Sequence, residues 1–89
     1  MEIVKTKSFV KDYRKLPDEI KRRTVKALRL FAENPHHPSL HTKKTKGEVL
    51  EGYGNVFEGR ITRDYRFLFL VRRDTCFLLR CDKHDVFFK

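Results

Sequence analysis

A single histidine stands near the end of this chain among charged and aromatic residues. The segment is "RCDKHDVFFK", residues 80–89. Imidazole gains and loses a proton near neutral pH, so His84 is suited to general acid or base catalysis. Chain termini are usually frayed and tolerant of substitution, and an ordinary polar surface residue is the alternative. His84 becomes a candidate catalytic residue because several arginines are predicted to lie beside it.

Four arginines fall on one predicted sheet face that leads to His84. Side chains alternate across a strand, so one parity of the late strand-like segments shares a face. That parity holds Glu58, Arg60, Arg66, Leu68, Leu70, Arg72, Cys76, Leu78 and Arg80. Guanidinium groups stay charged and match phosphate oxygens in geometry. The pattern therefore predicts a phosphate-binding surface, with a merely solvated polar face as the alternative.

The opposite parity is almost wholly apolar and predicts the sheet face that helices cover. It holds Phe57, Ile61, Tyr65, Phe67, Phe69, Val71, Phe77, Leu79 and Cys81. The two cysteines, Cys76 and Cys81, are five residues apart, so alternation puts them on opposite faces. We expect two reduced thiols that do not pair.

Two amphipathic helices are predicted in the first half of the chain, after a short β-branched strand, "EIVKT". Apolar residues recur at helical spacing after Ser8, a candidate N-cap. Pro17 ends that helix and begins a second one over residues 18–33, which Asn34 and Pro35 terminate. The second helix has a basic stripe opposite its apolar side, formed by Arg22, Lys26 and Arg29.

The second half predicts a long connection followed by three strands. Residues 36–55 contain proline, glycine and several charges, and loops of this length are usually functional or disordered. The segments "VFEGRI", "YRFLFLVR" and "TCFLLRC" alternate as strands. The order β-α-α-β-β-β predicts one α+β domain over residues 1–89. We expect a mostly antiparallel, four-stranded twisted sheet with both helices packed on one face.

Composition limits the partners and the compartment. The chain of 89 residues carries 21 Lys and Arg against 12 Asp and Glu, a net charge of +9 that favours polyanionic partners. The N-terminus lacks the apolar core of a signal peptide, and no apolar run is long enough to span a bilayer. We therefore expect a cytoplasmic protein that does not bind a membrane. Four histidines invite a zinc interpretation, but no metal-ligand spacing or nucleotide-cofactor motif is present, so no metal or cofactor is expected.

The stretch "GRITRDYRFLF" and the terminal "CDKHD" resemble the RelE/ParE superfamily of small basic toxins from toxin–antitoxin pairs. The resemblance follows the element order of the whole chain and is strongest from Arg60 onward. It is nearest to the RelE, YoeB and YafQ branch, which cleaves mRNA on the ribosome. The pattern R-I-T-x-x-x-R, with a histidine as far downstream as His84 is from Arg66, is typical of YoeB-like members. A terminal His-Asp with a following Phe is similar to YafQ-like members.

This resemblance implies a metal-independent endoribonuclease in which the RNA 2′-OH attacks the adjacent phosphorus. Arg66 matches the arginine that stabilises charge on phosphate, His84 the terminal acid or base, and Arg60 a supporting basic position. The second proton-transfer group varies in the family. The candidates here are Glu58 on the arginine face and three loop residues: His41, Lys43 and Lys46.

Other basic and aromatic residues are predicted to bind RNA rather than react with it. The basic candidates are Lys44, Arg80, Arg22, Lys26 and Arg29, which would contact backbone phosphates. Where RelE and YoeB have a functional terminal tyrosine, this chain has Asp85, Phe87 and Phe88. The two phenylalanines would stack on a base or pack against the protein.

Two other functions share the same fold. One is a ParE-like, non-catalytic toxin that binds DNA gyrase, although such members generally lack the Arg66 and His84 pair. The other is a catalytically degraded relative that retains RNA affinity. All three imply a cognate antitoxin, which we expect to be an acidic or amphipathic segment that covers the basic face. The nuclease additionally implies the ribosome and mRNA as partners.

Overall fold

The computed structural model of the protein describes residues 1–46, 50 and 52–88. The part of the predicted loop at 47–49 and 51, and the last residue, lie outside the described residues. The helices are α1 (Lys7–Arg14), α2 (Asp18–Glu33) and α3 (His84–Phe87), with a 3₁₀ turn at Pro38–Leu40. The strands are β1 (Glu2–Lys5), β2 (Lys43–Lys44), β3 (Phe57–Arg60), β4 (Tyr65–Arg72) and β5 (Thr75–Lys83).

The described strands form one mixed sheet in the order β1-β5-β4-β3-β2. Every pairing is antiparallel except that of β1 with β5, which is parallel. The predicted α+β class and element order are confirmed, with two additions. The long connection contributes the two-residue strand β2, and the chain continues past β5 into α3. The sheet therefore has five strands instead of the four predicted.

The N-terminus of α1 is capped by Thr6, and the prediction that Ser8 is the cap is wrong. The Thr6 hydroxyl accepts a hydrogen bond from the Phe9 amide at 3.3 Å and donates one to the Leu78 carbonyl at 2.8 Å. Thr6 follows β1 directly, so the same hydroxyl ties the helix start to β5. α2 spans the predicted residues, and Asp18 and Glu19 in its first turn complement the helix dipole.

The main core lies between the helices and one face of the sheet, which we call the helical face. Phe31 of α2 makes edge-to-face contacts with Phe67 and Phe69 of β4, with ring centroids 5.4 and 4.7 Å apart. Gly59 on β3 leaves room for the Phe67 ring, because a Cβ at that position would collide with it. Phe9 of α1 and Leu40 of the 3₁₀ turn also belong to this buried cluster.

A β-bulge in β5 overturns part of the predicted face assignment. Leu68 pairs with Arg80, but the next residue, Phe69, pairs with Leu78, so Leu79 has no partner in the register. The extra residue reverses the alternation before it. Cys76 and Leu78 consequently face the helices, whereas Phe77 and Leu79 join the opposite face.

The two cysteines therefore lie on the same face of the sheet, not on opposite faces as predicted. Cys76 and Cys81 are both fully buried free thiols in the helical-face core. Burial raises the pKa of Cys76 to about 11 and that of Cys81 to about 12. Both thiols stay protonated at neutral pH, so neither is a nucleophile.

The opposite sheet face, called here the second face, carries a smaller apolar cluster. Val56, Leu68, Leu70 and Leu79 are buried there. Leu50, Phe77 and the two terminal phenylalanines, Phe87 and Phe88, pack against them and are partly buried. The face predicted to present arginines thus has an apolar centre partly covered by the C-terminal segment. Among the described residues, no helix has the length and apolar composition needed to cross a membrane.

The revised faces make a testable distinction between two phenylalanines of neighbouring strands. Phe69 is 5% exposed and packs under α2, so Phe69→Ala should lower the free energy of unfolding by about 3–5 kcal/mol. Phe77 is only partly buried on the second face, so Phe77→Ala should cost no more than about 2 kcal/mol. Chemical denaturation of both variants measures the difference. Equal losses would contradict the bulged register.

Candidate active site

A cleft of about 370 Å³ lies where β4 begins and β5 ends. Its walls come from the turn between β3 and β4 and from the junction of β5 with α3. The lining residues are Arg63, Asp64, Tyr65, Arg66, Lys83, His84 and Asp85. The antiparallel pairing of β4 with β5 produces this arrangement, because it places Arg66 directly opposite Asp82, two residues before His84. The two residues that the sequence singled out for catalysis, Arg66 and His84, therefore share one cleft.

His84 is held by its backbone and by a neighbouring ring. Its amide donates a 2.6 Å hydrogen bond to the Asp64 carbonyl in the β3–β4 turn. The imidazole lies against Phe88, with ring centroids 4.8 Å apart, and its Nδ1 is 3.3 Å from an Asp85 carboxylate oxygen. The side chain remains 39% exposed. His84 is thus fixed in position and still accessible to a substrate, and Nε2 has no hydrogen-bond partner among the described residues.

Arg66 organises the turn that holds His84. Its Nη1 donates to the carbonyls of Thr62 and Arg63, both at 2.7 Å, and to that of Tyr65 at 3.1 Å. The side chain is only 11% exposed, although it lines the cleft. A charged guanidinium that satisfies three carbonyls fixes the turn backbone. Nη2 has no hydrogen-bond partner among the described residues.

Glu58 is buried next to Arg66. Its carboxylate oxygen lies 3.4 Å from Arg66 Nε, and its side chain is 6% exposed. Glu58 does not line the cleft. A carboxylate buried beside a guanidinium neutralises it and limits its movement, so Glu58 is placed to position Arg66 and is shielded from a substrate in the cleft.

Arg60 lies opposite Arg66 in the β3–β4 register but contributes to a different cleft. It lines a cavity on the side of α2 together with Arg23 and Lys26. The sequence grouped Arg60 with Arg66 and His84, and the structure separates it from their cleft. Its Nε is buried without a hydrogen-bond partner among the described residues.

Arg80 is occupied by a contact with α1. Its Nε and Nη2 donate to the two carboxylate oxygens of Asp12 at 2.5 and 3.2 Å. Asp12 also accepts a hydrogen bond from the Cys81 amide at 3.1 Å, beyond the point where β1 stops pairing with β5. The hydrogen bond to Asp12 raises the pKa of Arg80. Arg80 therefore joins α1 to the sheet, although its side chain is still 34% exposed.

The remaining predicted basic residues are exposed. Lys43 and Lys44 form β2 at one edge of the sheet, and Lys43 pairs with Glu58 in the register. Lys46 follows them, and His41 precedes them with a left-handed backbone, φ 46°. No described contact joins these four side chains to the cleft. The stripe on α2 is solvent-exposed over its whole length: Arg22, Lys26 and Arg29.

The two terminal phenylalanines pack against the protein. Phe87 and Phe88 rest on the apolar cluster of the second face, and both are partly buried. The Arg80 guanidinium lies 5.6 Å from the Phe87 ring centroid, and Phe88 contacts His84. Packing thus accounts for the position of both rings.

The sequence interpretation missed three lining residues with useful chemistry: Arg63, Tyr65 and Lys83. Parity assigns Tyr65 to the apolar face, and its side chain packs against the helical-face core. Its position at the first residue of β4 also exposes it to the cleft. The antiparallel pairing of β4 with β5 could have identified these residues from the sequence. It places the start of β4 beside the end of β5, with Tyr65 opposite Lys83. Within the described residues, no group of three or more His, Cys, Asp or Glu side chains could hold a metal ion.

Comparison with known proteins finds similar structures at low sequence identity. No family model matches the chain, and no curated protein matches it significantly. YafQ from E. coli strain BL21(DE3) has a TM-score of 0.77 at 12% identity, with 99% of this chain and 98% of that chain covered. A YoeB/ParE toxin from Agrobacterium tumefaciens has a TM-score of 0.72 at 20% identity, covering 94% and 99%. The archaeal RelE–RelB complex from Pyrococcus horikoshii OT3 gives 0.70 at 20% identity, covering 92% of each chain.

The contact between Asp12 and Arg80 predicts a stability defect outside the cleft. Asp12→Ala removes the acceptor for both Arg80 nitrogens and for the Cys81 amide. Unpaired groups of this kind should lower the free energy of unfolding by about 1–3 kcal/mol. Chemical denaturation checks the value, with Glu33→Ala, an exposed acid at the end of α2, as the matched control. A loss below about 0.5 kcal/mol, the usual range for surface substitutions, would show that the contact is not structural.

Proposed function

The chain has the fold of the RelE/ParE toxin superfamily, and from this premise we propose that it is the toxin of a type II toxin–antitoxin pair. We propose further that it is a ribosome-dependent endoribonuclease that cleaves mRNA and so inhibits translation. The fold alone does not select this activity, because catalytic and non-catalytic toxins share it. The proposal depends on the contents of the cleft.

The observation that carries the proposal is that Arg66 and His84 line one cleft and are linked through its backbone. Arg66 holds the carbonyls around Asp64, and the Asp64 carbonyl holds the His84 amide. Arg63 and Lys83 add two further cations to the same walls. An accessible imidazole among several cations is the combination that transfer at a phosphate requires, namely proton transfer and charge stabilisation.

In the proposed reaction the RNA supplies its own nucleophile. The 2′-oxygen forms a bond to the adjacent phosphorus while the bond from phosphorus to the 5′-oxygen breaks, which leaves a 2′,3′-cyclic phosphate and a 5′-hydroxyl. One group removes the 2′-OH proton, and another protonates the departing 5′-oxygen. His84 supplies one of these two transfers, because its ring is accessible and its orientation is fixed. No metal takes part in either transfer.

Arg66 and Glu58 have different roles in this scheme. Arg66 Nη1 is committed to the turn, which leaves Nη2 for a phosphate oxygen as negative charge builds on the phosphorane. Glu58 acts as a positioning residue through Arg66, since it is buried and does not line the cleft. Phe88 has a similar supporting role, because it packs against the His84 ring.

The second proton-transfer group is one that can reach the cleft. Tyr65 and Lys83 already line it. Lys43, Lys46 and His41 are exposed residues of the connection before β3 and remain candidates if RNA brings that connection to the cleft. The exposed stripe of Arg22, Lys26 and Arg29 is suited to the backbone phosphates of ribosomal RNA, as is Lys44 on β2.

One observation favours a second candidate, a relative that binds RNA without cleaving it. Arg66 is almost fully enclosed and satisfies three carbonyls, which is also how a purely structural arginine would be held. Such a protein would still bind RNA through its exposed cations but would not cleave it.

A cognate antitoxin is part of the proposal. Two of the similar structures are complexes of RelE with RelB, from Pyrococcus horikoshii OT3 and Methanococcus jannaschii. For this chain, a net charge of +9 and the apolar centre of the second face favour an acidic, amphipathic segment as the partner.

The experiment that tests the nuclease is induction of the protein in growing bacteria, followed by mapping of mRNA 5′ ends. Cleavage in phase with codons inside translated regions is the expected result. Growth arrest without new 5′ ends would overturn the nuclease and favour a non-catalytic, gyrase-binding toxin. Binding to ribosomes without growth arrest would favour the RNA-binding relative.

His84→Ala should reduce cleavage by about 10²- to 10⁴-fold, because a general acid or base contributes that much. Growth after induction and 5′-end mapping measure the loss. Folding should persist, since the His84 amide that bonds to Asp64 is retained. His36→Ala is the matched control, because His36 is exposed and lies outside the cleft. Full toxicity of the His84 variant would exclude His84 as the acid or base.

Substitutions at Arg66 and at Lys43, Lys44 and Lys46 should separate catalysis from binding. Arg66→Ala should slow single-turnover cleavage on saturating ribosomes by about 10²-fold or more while ribosome affinity is retained. Replacement of Lys43, Lys44 and Lys46 by Gln should weaken binding and make its salt dependence shallower, with a smaller effect at saturation.

The same measurements identify the second proton-transfer group. If the triple lysine variant is also slow at saturation, single substitutions at Lys43 and Lys46 show which residue transfers the proton. Arg66→Lys, with circular dichroism on both Arg66 variants, controls for loss of the pairing with Glu58. Weaker ribosome binding with an unchanged saturated rate would mean that Arg66 only contacts RNA.

A further inference from the structure

We propose that the cleft between α2 and β3 is a second phosphate-binding site that takes one phosphodiester of an RNA backbone. The cleft has a volume of about 370 Å³, and none of its described lining residues also lines the cleft of His84. The choice of RNA as the source of the phosphate rests on the proposed function. The phosphate site itself is inferred from the cleft.

Three cationic residues line this cleft, and no acid is among the described residues of its lining. They are Arg23 and Lys26 of α2 and Arg60 of β3. The rest of the lining is mostly apolar, with Leu30, Leu40 and Ile61. The one described acid in contact with these cations is Glu19, 3.6 Å from Arg23, and both side chains are more than half exposed. Such surface pairs contribute little, so Arg23 is free to turn toward an anion.

Arg60 gives the independent indication of a ligand. Its Nε is buried and has no hydrogen-bond partner among the described residues. Buried donors are nearly always satisfied, so one that is not calls for an acceptor from outside the chain. A guanidinium edge offers two parallel N–H groups to a phosphate. Because Nε itself has no exposed surface, the Arg60 side chain must turn toward an anion in the cleft. The anion would then satisfy Nε and offset the cluster of positive charge.

The register explains why Arg60 is left without a partner. Arg60 and Arg66 lie directly opposite each other on β3 and β4, and like charges in that arrangement repel. Glu58 compensates Arg66, whereas no ion pair with Arg60 exists among the described residues. The sheet therefore stabilises one arginine internally and leaves the other to a bound anion.

A polyanion fits the surroundings better than a single small anion. The exposed cations Arg22 and Arg29 continue along α2 on either side of Lys26. A polymer with a phosphate at each residue can place one phosphate in the cleft and its neighbours along this helix.

The test follows the Arg60 side-chain Nε–H by NMR in the full chain carrying His84→Ala, which prevents cleavage. The probes are inorganic phosphate, a single-stranded RNA hexamer and the same hexamer with neutral methylphosphonate linkages. A saturable shift of Arg60 with phosphate and with RNA, and none with the methylphosphonate hexamer, is expected. Arg23→Gln with Lys26→Gln should weaken RNA binding at Arg60 by about 10-fold or more.

A matched control removes the same charge elsewhere. Lys11→Gln with Arg14→Gln takes two exposed cations from α1 and should weaken RNA binding at Arg60 by less than about 3-fold, through long-range charge alone. Equal losses for the two double variants, or no Arg60 shift with phosphate, would overturn the proposal. A shift with polyglutamate but not with phosphate would assign the cleft to an acidic protein instead.

These results are independent of the cleavage assay. If the Arg60 signal responds as expected but the wild-type protein produces no new mRNA 5′ ends, the phosphate site stands and the proposed nuclease fails. If cleavage occurs but Arg60 does not respond, the nuclease stands and this site does not.

Discussion

The antiparallel pairing of β4 with β5 is the constraint on which the rest of the molecule depends. It places Arg66 opposite Asp82, and so brings the start of β4 beside the histidine that follows β5. The bulge at Leu79 within the same pairing divides the apolar residues of β5 between two clusters. Without that extra residue, Cys76 and Leu78 would leave the core beneath the helices. One strand pair thus determines both the packing and the candidate active site.

The arginines of β3, β4 and β5 make different contacts, although alternation predicts that they share one sheet face. Arg66 is compensated by Glu58 and occupied by three carbonyls, and Arg80 is bound to Asp12 of α1. Arg60 has a buried donor without a partner among the described residues. A shared sheet face would suggest one common phosphate-binding role. The contacts instead indicate an arginine that organises a turn, one that joins a helix to the sheet and one whose buried Nε has no described partner.

Much of the architecture could be predicted, because it follows from local patterns. The bounds of α2 came from apolar spacing between Pro17 and Asn34, and the strands came from alternation. Alternation also identified Phe67 and Phe69 correctly as helix-facing residues. It failed for Phe77 and Cys76, because the run "CFLL" is apolar at every position and contains no glycine or proline to mark the bulge. The cap at Thr6 was missed for a related reason, since its hydroxyl also bonds to β5, distant in sequence.

The sequence by itself determined the composition of the candidate site: a histidine at a fixed distance from an arginine, in a strongly basic chain. Residue type and spacing are local properties, so they could be found without coordinates. Only the tertiary structure decided which charges meet. It buried Glu58 against Arg66, joined Arg80 to Asp12 and moved Arg60 to the side of α2. Those outcomes depend on strand register and on the helix that covers each side chain, and both arise from contacts between residues far apart in the chain.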